Sequence, residues 1–95
     1  MPRDRRRVDA ALVKKGFQRD EDGHHVSFAY VTMDNRLTEI RTRVSHGRDR
    51  DISDDLLAKM AKQCKLSRPD FNRLVDCPMD RAAYEQELRD QGLLG

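Results

Sequence analysis

Three histidines are the residues of this chain best suited to acid–base chemistry, because an imidazole can take up and release a proton near neutral pH. They are His24, His25 and His46. The first two precede an alternating apolar run at residues 26–30, and the third follows a second such run at residues 37–44. Arg41 and Arg43 lie within the second run, and guanidinium groups bind anions well. This combination indicates a site for an anion.

The period of two in both runs predicts strands that have one apolar and one polar face. In the first strand the apolar side chains are Val26, Phe28 and Tyr30. The opposite face of that strand carries His25 and Ser27, and the polar face of the second strand carries Arg41 and Arg43. Residues 33–36 form a connection short enough for an antiparallel hairpin. If helices cover the apolar face, these four polar residues share the open side of the sheet.

Four helical segments complete the coarse secondary structure. They are predicted at about residues 5–15, 53–64, 69–75 and 80–90. The first helix ends at Gly16, Ser53 or Asp51 can cap the second, and Asp80 can cap the last. Residues 19–23 are polar and indicate either a short strand with a turn or a hairpin loop before the two alternating strands. We therefore predict an α+β fold in which an antiparallel three-stranded sheet packs on helices, in the order α-β-β-β-α, with additional short C-terminal helices.

Size and charge limit the classes of function. With 95 residues and 37% hydrophobic content, the chain is predicted to be a single domain, residues 1–95, without a deep cavity between lobes. Basic residues outnumber acidic ones in the first half of the chain but not in the second, which favours a polyanion partner such as nucleic acid. Aromatic residues make up only 5% of the chain, so RNA recognition is expected to depend on phosphate contacts and shape.

Cofactors and a membrane location are not expected from the sequence. Cys64 and Cys77 lack the spacing of a metal or redox motif, and no signal-peptide pattern precedes them, so we predict free thiols in a reducing cytoplasm. His24 and His25 are adjacent and would point to opposite sides of a strand, which disfavours a shared metal ion. No apolar run approaches the roughly 20 residues of a membrane span. We predict no metal, no cofactor and no membrane association.

The order of motifs along the chain carries a resemblance to a known family. A first helix is followed by Lys14-Lys15-Gly16-Phe17 and a short strand, then by Gly23-x-His25, two strands ending at His46, a helix with Leu56 and Met60, and Leu66-Ser67. In this order the sequence resembles the HicA family of toxins from toxin–antitoxin pairs, over roughly residues 8–67. The resemblance places a HicA-like core at about residues 5–67 and leaves about residues 68–90 as a C-terminal helical extension.

The resemblance implies a fold like that of double-stranded-RNA-binding domains, in which a three-stranded sheet packs on two helices. It also implies metal-independent cleavage of messenger RNA by a motif histidine, and an antitoxin partner that blocks the same face. Gly23 matches the motif glycine and His25 the catalytic histidine, with His24 in place of the usual serine. A shift by one residue would make His24 the match, but strand alternation favours His25. The end of the third strand and the helices from Phe71 to Leu88 depart from the family pattern.

A histidine ribonuclease needs a base, a cation to hold the phosphate and an acid for the leaving oxygen. His25 could remove the 2′-hydroxyl proton, and Arg41 or Arg43 could hold the phosphate. His46 is a candidate acid. Further RNA-binding residues are predicted at Lys14 and Lys15. Only RNA offers an internal 2′-hydroxyl, so this mechanism excludes DNA.

Two alternatives to a ribonuclease fit the same residues. A non-catalytic RNA-binding module would show salt-sensitive affinity that depends on Arg41 and Arg43 but not on His25. A protein-interaction domain would use the open sheet or the C-terminal helices to dock a partner chain. For the other two histidines, His24 can be a turn residue and His46 a loop residue that caps the next helix.

Overall fold

The computed structural model describes residues 2–45, 50–76 and 78–94, in which the strands precede a C-terminal run of helices. In chain order the elements are β1 (Arg3–Asp4), α1 (Arg5–Lys14), β2 (Phe17–Glu21), β3 (His25–Val31), β4 (Leu37–Ser45), β5 (Asp51–Ile52), α2 (Asp54–Gln63), α3 (Arg68–Asp76) and α4 (Arg81–Asp90). Strands β2, β3 and β4 form a three-stranded sheet, and β1 pairs with β5 in a separate two-stranded one. The predicted α+β class with an antiparallel three-stranded sheet is confirmed.

Helix α1 begins and ends close to the predicted positions. Oδ1 of Asp4 accepts hydrogen bonds from the backbone N–H groups of Arg6 at 2.9 Å and Arg7 at 3.3 Å, which satisfies two donors of the first turn. The helix ends before Gly16, whose φ of 101° is a backbone conformation that glycine adopts without strain. Its buried residues are Val8, Ala11 and Leu12.

The starts of α2 and α4 are set by capping side chains. Oγ of Ser53 accepts a hydrogen bond from the N–H of Leu56 at 3.3 Å, and Oδ1 of Asp80 accepts one from the N–H of Ala83 at 2.8 Å. Both predicted caps are thereby confirmed. Of the two cap residues considered for α2, Ser53 has this role, and Asp51 lies in β5 instead.

The strand order in the larger sheet is β2-β3-β4, and both neighbouring pairs are antiparallel. The connection between β3 and β4 is the predicted hairpin, with Asn35 at a positive φ of 67° that asparagine tolerates better than most residues. Strand β2 begins two residues before the predicted start, because Phe17 pairs with Tyr30. The register between β3 and β4 shifts between Ala29 and Val31, and the pairing is regular from Ala29 back to the start of β3.

Helices cover one face of the sheet and leave the other open. Along β3 burial alternates, with Val26, Phe28 and Tyr30 buried and the residues between them half-exposed. The three Phe and two Tyr residues of the chain all lie in the core; they are Phe17, Phe28, Tyr30, Phe71 and Tyr84. Because Phe71 and Tyr84 come from α3 and α4, the C-terminal helices share one core with the sheet. In the described part of the chain, no helix combines the length and apolar character needed to cross a membrane.

Candidate functional site

The uncovered side of the three-stranded sheet brings together most of the residues predicted to do chemistry. The cross-strand pairs between β3 and β4 are His25 with Ser45, Ser27 with Arg43, and Ala29 with Arg41. Residues paired in this way project to the same side of a sheet. On β2, Asp20 pairs with Ser27 and Gln18 with Ala29, so both lie on this side as well. We call these eight residues the open face.

Backbone hydrogen bonds show that these three pairs between β3 and β4 are of the closer antiparallel type. The carbonyl of His25 accepts a bond from the N–H of Asp22 on the β2 side, at 3.0 Å. The N–H of Arg43 is directed to the outer edge of β4, toward Oε1 of Gln63 at 3.4 Å. Paired residues whose backbone groups point away from each other have Cα atoms about 4.5 Å apart. The side chains of Ser27 and Arg43 therefore lie side by side, and His25 is the diagonal neighbour of Arg43.

Arg41 and Arg43 differ from most arginines of the chain in how their charge is used. Both are exposed, and across residues 2–45, 50–76 and 78–94 neither guanidinium makes a hydrogen bond or an ion pair. By contrast, Nε of Arg19 lies 2.8 Å from Oδ2 of Asp9. Two residues along a strand correspond to about 7 Å, so the two unpaired guanidinium groups form a short cationic strip on the open face.

Two shallow depressions lie beside Arg41, with volumes of about 310 and 290 Å³. Arg41 and Ser27 line both of them. Gln18 and Asp20 contribute only to the first, and Arg43 and Gln63 only to the second. His25 lines neither, because it lies at the end of the open face where β3 begins. A ligand in either depression would contact Arg41 and approach His25 from one side.

The turn before β3 decides which histidine reaches the open face. Oδ1 of Asp22 accepts hydrogen bonds from the N–H groups of His24 at 3.0 Å and His25 at 2.8 Å. These two hydrogen bonds hold the pKa of the Asp22 carboxyl below its ordinary value, and the bond from His24 has the larger effect. His24 is left exposed in the turn, while His25 is half-buried as the first residue of the strand. Asp22 escaped the sequence analysis, although an Asp just before a Gly is a common signal for this type of turn.

The two lysines predicted to bind RNA are not on the open face. Lys15 is buried, and its Nζ donates hydrogen bonds to the carbonyl oxygens of Leu74 at 2.7 Å and Met79 at 2.6 Å. The prediction for Lys15 is wrong, because an ammonium group bonded inside the protein cannot reach a polyanion. Lys14 is exposed at the end of α1, on the side of the sheet that the helices cover.

A second cluster of charged residues lies on the covered side and was not foreseen from the sequence. The carboxylate of the buried Glu85 accepts hydrogen bonds from the hydroxyl of Tyr30 at 2.7 Å, the N–H of Met33 at 2.8 Å and the guanidinium of Arg89 at 2.7 Å. Burial alone would raise the pKa of Glu85, but these bonds outweigh burial and lower it. Arg81 donates to the carbonyl of Val31 at 2.8 Å nearby. The bonds from Tyr30 and Met33 to Glu85, and from Arg81 to Val31, hold α4 to the sheet, while the bond from Arg89 to Glu85 lies within α4.

Two predictions fall on residues outside the described ranges, namely His46 as an acid and Cys77 as a free thiol. Cys64 is a free thiol, and its burial raises the pKa to about 12, so the sulfur stays protonated and unreactive near neutral pH. Among the residues that the structure describes, no group of three or more His, Cys, Asp or Glu side chains is arranged to hold a metal ion.

Comparison of the chain with protein-family models, with curated proteins and with solved structures finds no match.

Proposed function

We propose that this protein is a HicA-like toxin component, a metal-independent endoribonuclease that acts on messenger RNA in the cytoplasm through its open face. The observation that carries the proposal is the pair of exposed guanidinium groups of Arg41 and Arg43, which have no partner in the described part of the chain. They lie on the same side of the sheet as His25. A cognate antitoxin protein would inhibit the enzyme by covering this face.

Phosphate contacts supply the binding in this proposal. The open face contains no Phe, Tyr or Trp side chain, since all five such residues of the chain are buried in the core. Bases therefore have no broad aromatic surface to stack on, and the groups that can bind a phosphate are the two guanidinium cations, the imidazole of His25 and the polar side chains of Gln18, Ser27 and Ser45. Such a surface is suited to an RNA backbone and gives little discrimination between bases.

Cleavage would follow from the position of His25 beside Arg43. The imidazole takes the proton of a 2′-hydroxyl, whose oxygen then attacks the adjacent phosphorus while the guanidinium of Arg43 stabilises the charge that develops on the phosphate. The bond from phosphorus to the 5′-oxygen breaks, and that oxygen takes up a proton. His46 is the candidate acid that the sequence offers for this last transfer.

The adjacent histidines provide a matched test. A long RNA is incubated in EDTA with the wild type, with His24→Ala and with His25→Ala. We expect cleavage by the wild type and by the His24 variant, and a rate at least about 100-fold lower for His25→Ala, because the base is lost. Equal cleavage by the two variants would show that His25 is not the base.

A non-catalytic RNA-binding module is the second candidate, and one observation favours it. His25 lines neither depression of the open face, and within the described residues no carboxylate is hydrogen-bonded to its ring to orient it as a base. This candidate predicts that the wild type binds RNA in EDTA without cutting it. Its affinity would then depend on Arg41 and Arg43 but not on His25.

A further inference from the structure

Gln63, the last residue of α2, connects that helix to the outer edge of β4. Its Oε1 accepts hydrogen bonds from the hydroxyl of Thr42 at 2.8 Å and from the N–H of Arg43 at 3.4 Å. A backbone N–H can only donate, so the atom facing Arg43 has to be the amide oxygen, and this fixes the orientation of the amide group. The Nε2 group of Gln63 therefore faces away from both partners. It makes no hydrogen bond within the described residues.

The depression of about 290 Å³ beside Gln63 is lined by groups that can donate hydrogen bonds. Its lining residues are Ser27, Arg41, Thr42, Arg43 and Gln63. Two guanidinium groups, the hydroxyl of Ser27 and the amide N–H groups of Gln63 are all available to a ligand there. Among the residues that the structure describes, no carboxylate lines this depression, whereas Asp20 lines the other one on the open face. A site that has several hydrogen-bond donors and no carboxylate is suited to an anion with several oxygen atoms.

We propose that this depression is a phosphate-binding subsite, in which Gln63 donates a hydrogen bond to a phosphate oxygen that Arg41 and Arg43 neutralise. The inference rests on the proposed function, since the ligand in the cell would be a phosphate of the RNA backbone. It adds a residue from a helix to a surface otherwise built from strands. Gln63 is a binding residue here, and it touches the substrate at a distance from the base His25.

Gln63→Glu is the variant that isolates this role. A carboxylate still accepts the bonds from Thr42 and Arg43, so the fold is preserved, but it replaces the donor with a negatively charged acceptor. Gln86→Glu on α4 is the matched control, because it makes the same change of net charge at an exposed site away from the open face. We expect RNA affinity to fall at least about tenfold for Gln63→Glu and to stay at the wild-type value for Gln86→Glu. Urea denaturation of each variant verifies that the fold is intact.

A titration with inorganic phosphate tests the subsite separately from the proposed function. Binding is monitored through the NMR signals of side-chain and backbone amides. We expect phosphate to shift the side-chain NH₂ signals of Gln63 and the backbone signals of Ser27 and Arg41. If the wild type binds RNA and Gln63→Glu binds it equally well, the subsite is wrong and the proposed function stands. If phosphate shifts these signals but RNA does not bind, the subsite stands and the proposed function is wrong. If neither ligand binds, both are wrong.

Discussion

The two sides of the sheet use positive charge in opposite ways. On the covered side, Lys15 and Arg81 are directed into the protein, and each donates hydrogen bonds to two backbone carbonyl oxygens. On the open face, Arg41 and Arg43 are exposed and have no partner among the described residues. All four residues are basic, but the first pair is used in folding and the second is available to a ligand. A count of basic residues in the sequence therefore overstates the positive charge that is exposed to a binding partner.

Alkaline pH should have the largest effect on the stability of the fold, because it ionises the tyrosines that are buried on the covered side. Burial is the main cause that raises the pKa of Tyr30 from 10.0 to about 12, and the hydrogen bond to Glu85 is the second cause. Burial also raises the pKa of Tyr84. A raised folded-state pKa means that this stabilisation is fully present below pH 10 and is lost as the pH rises through about 12. We expect tyrosinate absorbance to appear late and together with the loss of helical circular dichroism.

These are the only two tyrosines of the chain, so the absorbance reports on the covered side alone. Gradual ionisation centred near pH 10, with the helices intact, would show that the tyrosines are not enclosed as described.

Replacement of Lys15 should have the next largest effect, and its neighbour Lys14 provides the control. Lys15→Met removes the donor to the carbonyl oxygens of Leu74 and Met79 and leaves both without that bond. We expect the free energy of unfolding to fall by about 2 kcal/mol, as measured by urea denaturation. Lys14→Met changes an exposed residue, and its effect should stay within about 0.5 kcal/mol. Similar changes in the free energy of unfolding for the two variants would contradict the assignment of Lys15 as buried and Lys14 as exposed.

The smallest change in stability is expected on the open face. Arg41→Ala should leave the free energy of unfolding within about 0.5 kcal/mol of the wild type, because the side chain contributes no bond to the fold. RNA affinity should become less dependent on salt, with the slope of log affinity against log salt reduced by about 1. Arg36→Ala, which removes an exposed arginine paired with Asp34 in the hairpin, should leave this slope unchanged. A large loss of stability for Arg41→Ala would contradict the division of roles between the two sides.

Local patterns were sufficient to predict the helices and four polar residues of the open face. Ser53 and Asp80 cap helices at the predicted positions, since capping depends on neighbours within one turn. The alternation in residues 26–30 placed His25 on the uncovered side, because a strand has only two faces. Both signals are carried by a few consecutive residues, and the rest of the fold does not override them.

Features that depend on distant parts of the chain could not be predicted in this way. Lys15 and its acceptor Leu74 are 59 residues apart, so nothing near Lys15 marks it as buried. Tyr30 and Glu85 are 55 apart, so nothing near Glu85 marks it as the partner of a buried tyrosine. Gln63 likewise becomes part of the site only because α2 ends beside β4. A lysine next to another lysine looks the same in the sequence whether its ammonium group meets water or a backbone carbonyl.

The buried bond between Tyr30 and Glu85 also limits how short the chain can be made. A variant cut after residue 67 would retain α1, the three-stranded sheet and α2, but the hydroxyl of Tyr30 would lose its acceptor and Lys15 both of its carbonyl partners. The ring of Phe17 would lose its contact with Tyr84, 5.6 Å away between ring centroids. We therefore expect the smallest unit that folds on its own to include α4. Transfer of the first 67 residues to another protein would move the open face without the core contacts that α3 and α4 supply.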